Sequence, residues 1–163
     1  MTSSCSAIEW KAAGVYADVA HATTMARVAW LLQERLRGAG VLVGAGCPLA
    51  VPGGEPIVVD LALFQQHSND DALIRLPPAA VIEVLTSEDR AQALFAKLKR
   101  LRMWGVPHLF LIDPSKQLIV TGGDPMLKPL PSIEVPGFGL SLLHSEVFGE
   151  PCQHVEERGP VSQ

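Results

Sequence analysis

Hydrophobic residues recur at spacings of three and four in two stretches of the chain, the pattern of one helical face. The first stretch covers residues 23–37, where Thr23 or Thr24 is a suitable N-cap and Gly38 ends the helix. The second covers residues 87–104. The predicted apolar stripe of this second helix is Ala91, Leu94, Phe95, Leu98 and Leu101.

Two other stretches, residues 57–64 and 79–85, are apolar at nearly every position, which is typical of strands covered on both faces. Shorter apolar runs predict further strands at 41–43, 108–112 and 117–121, and edge elements at 132–135 and 140–143. This order of helices and strands predicts an α/β or α+β fold, in which helices flank a mixed β-sheet.

Composition limits the organisation of the chain. The 163 residues are 48% hydrophobic and 18% charged, which suits one globular domain with a substantial core. We expect a loose N-terminal segment at 1–20, a domain at 21–150 and a disordered tail at 151–163. Mean hydropathy is +0.24, yet no apolar run is long enough to span a membrane. The three dispersed cysteines and the absence of a visible secretory signal favour the cytoplasm.

Two acidic residues interrupt the most apolar strands. Asp60 lies inside the first and Glu83 inside the second. A buried carboxylate is costly unless it is paired, hydrogen-bonded or bound to a cation. Each could instead lie at a solvated strand end or pair with an arginine. If the two strands are neighbours, both carboxylates can share a divalent metal, and Mg²⁺ accepts such a site because it retains several waters.

The helix after Glu83 is basic although the whole chain has a formal net charge of −4. On a helical projection Lys97 lies at one border of the apolar stripe. A solvated helix face with lysine stems lying along apolar surface is the simpler explanation of these charges. The cations of this helix are Arg90, Lys97, Lys99, Arg100 and Arg102.

Several short motifs follow one another in the order of a known family. They are Asp60 in an apolar strand, Glu83-Val84-Leu85-Thr86-Ser87, Lys97, Gly105-Val106-Pro107 and Leu111-Ile112-Asp113-Pro114. Over about residues 21–148 the sequence resembles the Uma-two family of restriction-endonuclease-like proteins, within the PD-(D/E)xK nuclease superfamily. Leu85 stands where most nucleases of the superfamily have lysine, and Lys97 matches the helical lysine of this family.

The resemblance implies a metal-dependent endonuclease. Asp60 and Glu83 would bind Mg²⁺ or Mn²⁺, with the backbone carbonyl of Val84 as a third ligand. Lys97 would orient or help deprotonate the attacking water. His21 is a further candidate because the family's early helix often follows a histidine.

This interpretation implies that the partner is a nucleic acid, with DNA preferred over RNA. It implies no membrane partner. Arg90 and Arg100 would guide the phosphate backbone through contacts that weaken with salt. A second hypothesis keeps the fold and drops the catalysis: the domain would be a degenerate binding or oligomerisation module, with apolar edge segments pairing in a homodimer.

Overall fold

The computed structural model describes residues 19–65, 75–86, 91–122 and 127–149. The helices are α1 (Val19–Arg35), α2 (Ala91–Trp104) and α3 (His144–Phe148), and a short 3₁₀ turn covers Pro136–Phe138. The strands are β1 (Val41–Leu49), β2 (Ile57–Gln65), β3 (Ala80–Val84), β4 (His108–Asp113), β5 (Leu118–Thr121), β6 (Ser132–Val135) and β7 (Leu140–Leu143).

Five strands form one sheet in the order β1-β2-β3-β4-β5, and β6 pairs with β7 in a separate ribbon. All neighbours in the large sheet are antiparallel except β3 and β4, which are parallel. Helix α2 connects these two parallel strands, as a crossover must. The predicted mixed sheet flanked by helices is confirmed.

The sheet is covered on both faces. On one face, Val28 and Leu32 of α1 pack in a cluster with Leu61 and Ile82. On the other, Leu101 of α2 packs in a second cluster with Ala62, Phe64, Val81 and Leu109. Because successive residues of β2 and β3 face different helices, both sets must be apolar. This double coverage explains why Asp60 and Glu83 stand out in the sequence.

The alternation of faces is interrupted where Asp60 lies. Leu61 and Leu63 belong to the cluster under α1, whereas Ile57 and Val59, at the same parity, belong to the cluster under α2. In the paired strand β1, Gly46 lies across from this point with a φ of 60°. The regular β-ladder is therefore distorted at Asp60. The side chain of Asp60 does not follow the usual alternation between the two faces of the sheet.

Several predicted boundaries change. Helix α1 already includes Val19, ahead of the predicted start at Thr23, and the Thr23 hydroxyl donates to the Val19 carbonyl (2.7 Å) inside the helix, so Thr23 is not its N-cap. Strand β1 extends from Val41 to Leu49, and the helix α3 was not predicted. The predicted residues 87–90 of the second helix lie outside the described residues, as do the predicted tail 151–163 and residues 1–18 of the N-terminal segment.

The predicted stripe of α2 is only half correct. Leu98 and Leu101 are buried, but Ala91 and Phe95 are exposed and Leu94 is half-buried. The amino-terminal half of this helix extends beyond the core that its carboxyl-terminal half covers. In the part of the chain that the structure describes, no helix has the length and apolar character of a membrane span.

Gly105 allows the chain to leave α2 and enter β4. Its φ of 108° is rarely adopted by residues with a side chain. We expect Gly105→Ala to lower the free energy of unfolding by about 1–3 kcal/mol through backbone strain. Urea denaturation measures this loss. Gly137→Ala is the matched control, because Gly137 has open space around it and no positive φ. Equal stability of the two variants would contradict the strain argument.

Candidate active site

The pairing of β2 with β3 brings the two acidic residues together. Leu61 pairs with Ile82 in an antiparallel register, so the next position along places Asp60 opposite Glu83. There the Asp60 carboxylate accepts a hydrogen bond from the backbone N–H of Val84, with 2.8 Å between Oδ2 and N. The Asp60 side chain thus accepts the hydrogen bond of the Val84 amide where the pairing of β2 with β3 ends. This hydrogen bond fixes the position of the Asp60 carboxylate.

Glu83 is held in a largely dry environment. Only 7% of its side chain is exposed, and Lys97 Nζ donates to its Oε2 at 2.7 Å. Its other oxygen, Oε1, is buried and has no hydrogen-bond partner among the described residues. Burial raises the pKa of Glu83 to about 7, and the nearby Asp60 contributes in the same direction, while Lys97 opposes the shift. The Lys97 ammonium and a hydrogen bond from the Asp60 backbone together do not compensate for the burial of this carboxyl group.

Helix α2 supplies the cation of the site. Lys97 lies one position before the buried Leu98, so its stem runs along the edge of the packed face. Its side chain is 26% exposed, so Lys97 is partly accessible to solvent. The predicted border position of Lys97 is thus the one from which it reaches Glu83.

His21 approaches the same carboxylate from α1. It is a buried residue in the first turn of that helix, and its Nε2 lies 3.4 Å from Asp60 Oδ2. Asp60 Oδ2 therefore contacts both the Val84 amide and the His21 imidazole. In the sequence, His21 was a candidate only because a histidine often precedes the early helix of the family that the chain resembles.

The two predicted phosphate-binding arginines have different outcomes. Arg90 lies outside the described residues. Arg100 donates to the backbone carbonyls of Val51 (3.3 Å) and Glu55 (3.0 Å), in the connection between β1 and β2. There its guanidinium lies so close to Gly54 that an added Cβ would be 3.0 Å from it. Arg100 thus fastens α2 to this connection, and its phosphate contact stays a prediction.

The donor atoms suit a hard cation with a small protein ligand set. No group of three or more His, Cys, Asp or Glu side chains within the described ranges is arranged to hold a metal ion. Mg²⁺ nevertheless binds through one or two carboxylates and keeps several waters. The buried, unpartnered Oε1 of Glu83 next to Asp60 is a donor pair of that kind. The residues present therefore fit such an ion.

Comparison with known proteins supports the fold. One solved structure, described as a "putative nuclease belonging to DUF820" from Anabaena variabilis, superimposes with a TM-score of 0.68. The match covers 80% of this chain and 81% of that one, at 16% sequence identity. No family model matches the sequence, and no curated protein matches it either. The chain thus has a nuclease-like fold, and its resemblance to the Uma-two family stays a prediction.

Sequence reasoning missed two features around this site. The hydrogen bond from the Val84 amide to Asp60 depends on where the pairing of β2 with β3 ends, for which the sequence carries no local signal. Phe95, which the helical spacing assigned to the core, is 47% exposed and lines a cavity next to the site. Periodicity identifies the apolar face of a helix but not how far the facing sheet extends beneath it.

The raised pKa of Glu83 gives a pH signature. Relative to Glu83→Gln, the wild-type protein should be most stable below about pH 4.5, where Glu83 is protonated in both the folded and the unfolded state. It should lose about 3 kcal/mol of unfolding free energy as the pH rises from about 4.5 to about 7, because the folded state resists ionisation of Glu83. Urea denaturation of both proteins in EDTA across this range measures the difference. Glu34→Gln removes an exposed carboxylate on α1 and is the control. A stability difference that does not vary with pH would contradict the raised pKa.

Proposed function

We propose that this protein is a metal-dependent endonuclease of the PD-(D/E)xK kind. It hydrolyses phosphodiester bonds in nucleic acid, with DNA as the preferred substrate. The observation that carries the proposal is the meeting of Asp60, Glu83 and Lys97, from three different elements, at one end of the β2–β3 pairing. The nuclease-like fold supports it. So does the order of motifs that resembles the Uma-two family.

Asp60 and Glu83 would hold Mg²⁺ or Mn²⁺, with the Val84 carbonyl as the proposed third protein ligand. When bound, the ion would lower the pKa of a water and polarise the scissile phosphate. A second cation beside Glu83 would also offset the burial that raises its pKa to about 7. The buried Oε1 of Glu83, which has no hydrogen-bond partner among the described residues, would then have a ligand to bind.

Lys97 would act on the water and the phosphate. An ammonium has three N–H donors, and the one directed to Glu83 Oε2 leaves two for a water or a phosphate oxygen. From its partly exposed position it would orient the attacking water and neutralise charge that develops on the phosphate. His21 and the Val84 amide would keep Asp60 oriented, since both lie at its Oδ2.

The lysine gives a direct test, because the same helix carries an exposed counterpart. We expect Lys97→Met to lower the rate of DNA hydrolysis in Mg²⁺ or Mn²⁺ at least about 100-fold, the usual contribution of a group that positions or transfers the proton. Lys99→Met removes the same charge from an exposed position of α2 and should retain the rate. Plasmid nicking and single-turnover cleavage of a labelled oligonucleotide measure both.

The acidic residues provide the second arm of this test. Asp60→Asn and Glu83→Gln should abolish the cleavage while retaining the far-ultraviolet circular dichroism spectrum of the folded protein. Metal-dependent cleavage that persists in either variant, from preparations free of contaminating nuclease, would exclude the proposed site.

The degenerate module remains the second candidate, favoured by the small ligand set. Within the described part of the chain only two carboxylates converge, without a third acidic or imidazole ligand placed for the metal. Isothermal titration with Mn²⁺ separates the two hypotheses. We expect wild-type protein to bind Mn²⁺ and Asp60→Asn to bind at least about tenfold more weakly. Failure of the wild-type protein to bind would favour the module.

A further inference from the structure

A cavity of about 510 Å³ lies next to the candidate site, between α2 and the β4–β5 hairpin. Its volume is within the range of pockets that bind small organic groups. It lies near the carboxyl ends of the parallel strands β3 and β4, where open α/β sheets commonly bind ligands.

Several residues that line the cavity are direct neighbours of residues of the candidate site. Ala20, which lines the cavity, directly precedes His21, and Leu85 directly follows Val84. Leu94 lies one helical turn before Lys97 on α2. Leu111 pairs with Glu83, and paired residues of neighbouring strands point to the same side of the sheet about 5 Å apart. A group bound in the cavity would therefore contact the immediate surroundings of both carboxylates.

The cavity presents apolar surface that the core does not use. Phe95 is 47% exposed and Leu127 is 40% exposed, and both line it. Phe95 of the apolar stripe of α2 thus faces this space, while Leu94 lines it and also packs against the buried Leu98 and Leu111. An aromatic ring with an open face in a concave apolar pocket is suited to stacking against another flat ring.

The polar side of the cavity is occupied by internal hydrogen bonds. Asp113 Oδ1 accepts from the Ser115 amide (3.0 Å), the Ser115 hydroxyl (2.6 Å) and the Lys116 amide (3.1 Å). Lys116 Nζ lies 3.3 Å from Asp113 Oδ2, and its side chain is 75% exposed. These bonds leave few free polar groups that could recognise the edge of a ring, and the Asp113–Lys116 ion pair leaves the rim without net charge.

We propose that this cavity receives one unpaired nucleobase of the substrate strand while an adjoining phosphate lies at Asp60, Glu83 and Lys97. This inference rests on the proposed function and defines its substrate class. The occupant has to be flat and largely apolar, since the walls are apolar and the Phe95 ring is exposed. It has to be joined to a phosphate, since the adjacent candidate site is proposed to act on a phosphodiester. A base inside a duplex cannot enter such a cavity without leaving its stack. The substrate is therefore a single strand, a flap or another site with an unpaired base.

The test combines a variant that removes the stacking surface with one that fills the cavity. Phe95→Ala removes the ring, and Ala91→Phe places a side chain at a lining position. Met103→Ala is the control, because Met103 is a 78% exposed apolar residue of the same helix and does not line the cavity. The probe is a single-stranded oligonucleotide with one 2-aminopurine, titrated with each folded protein in EDTA so that no hydrolysis intervenes.

We expect wild-type protein and Met103→Ala to change the 2-aminopurine fluorescence and to bind alike. Phe95→Ala and Ala91→Phe should bind about tenfold more weakly, as when one base loses its stacking partner. A matched duplex should compete poorly. Equal binding by all four proteins, or no binding by the wild type, would overturn the inference. So would a dimer in solution that Ala91→Phe dissociates without weakening the oligonucleotide, since a second copy would then be the occupant.

Failure of this inference can be separated from failure of the proposed function. Hydrolysis in Mg²⁺ that depends on Glu83 but not on Phe95 or Ala91 would overturn the base-binding cavity and leave the nuclease intact. Binding that depends on Phe95 without any hydrolysis would support the cavity and overturn the nuclease.

Discussion

The ion pair between Glu83 and Lys97 links the fold of this protein to its candidate chemistry. Glu83 belongs to a five-residue strand in which every residue is buried, and its carboxyl group meets the ammonium of α2 at 2.7 Å. Burying a carboxylate costs more than one such contact returns, and this imbalance appears as a pKa of about 7. The positions of β3, α2 and Asp60 together therefore determine the environment of the Glu83 carboxyl group.

The parallel pairing of β3 with β4 determines where the site and the cavity lie. It requires α2 to cross the sheet, and the helix extends past the core at its amino-terminal end. Its buried half holds the sheet, whereas its exposed half presents Phe95 to the cavity. Lys97 lies between the two halves. One helix therefore contributes to the core, the cation of the site and the wall of the cavity.

Much of this arrangement was predictable from sequence. Residues apolar on both faces of a strand identified the central strands, and the acidic residues within them identified Asp60 and Glu83. Lys97 followed from the helical spacing together with a family resemblance. The Val84 amide on Asp60, the approach of His21 and the exposed half of α2 were not predictable, because each depends on how elements distant in sequence pack. Local spacing carries no information about where a sheet ends beneath a helix.

Arg100 gives the remote connection between β1 and β2 an unusual importance. Connections at the edge of a sheet ordinarily accept insertions and deletions without consequence. Here the guanidinium of Arg100, three residues after Lys97, donates to two backbone carbonyls of that connection and lies beside Gly54. Lengthening the loop would break the contacts between Arg100 and this connection. Helix α2 could then shift, and the Lys97 ammonium would move away from Glu83. In related sequences, the length of this edge loop should therefore vary less than its surface position suggests.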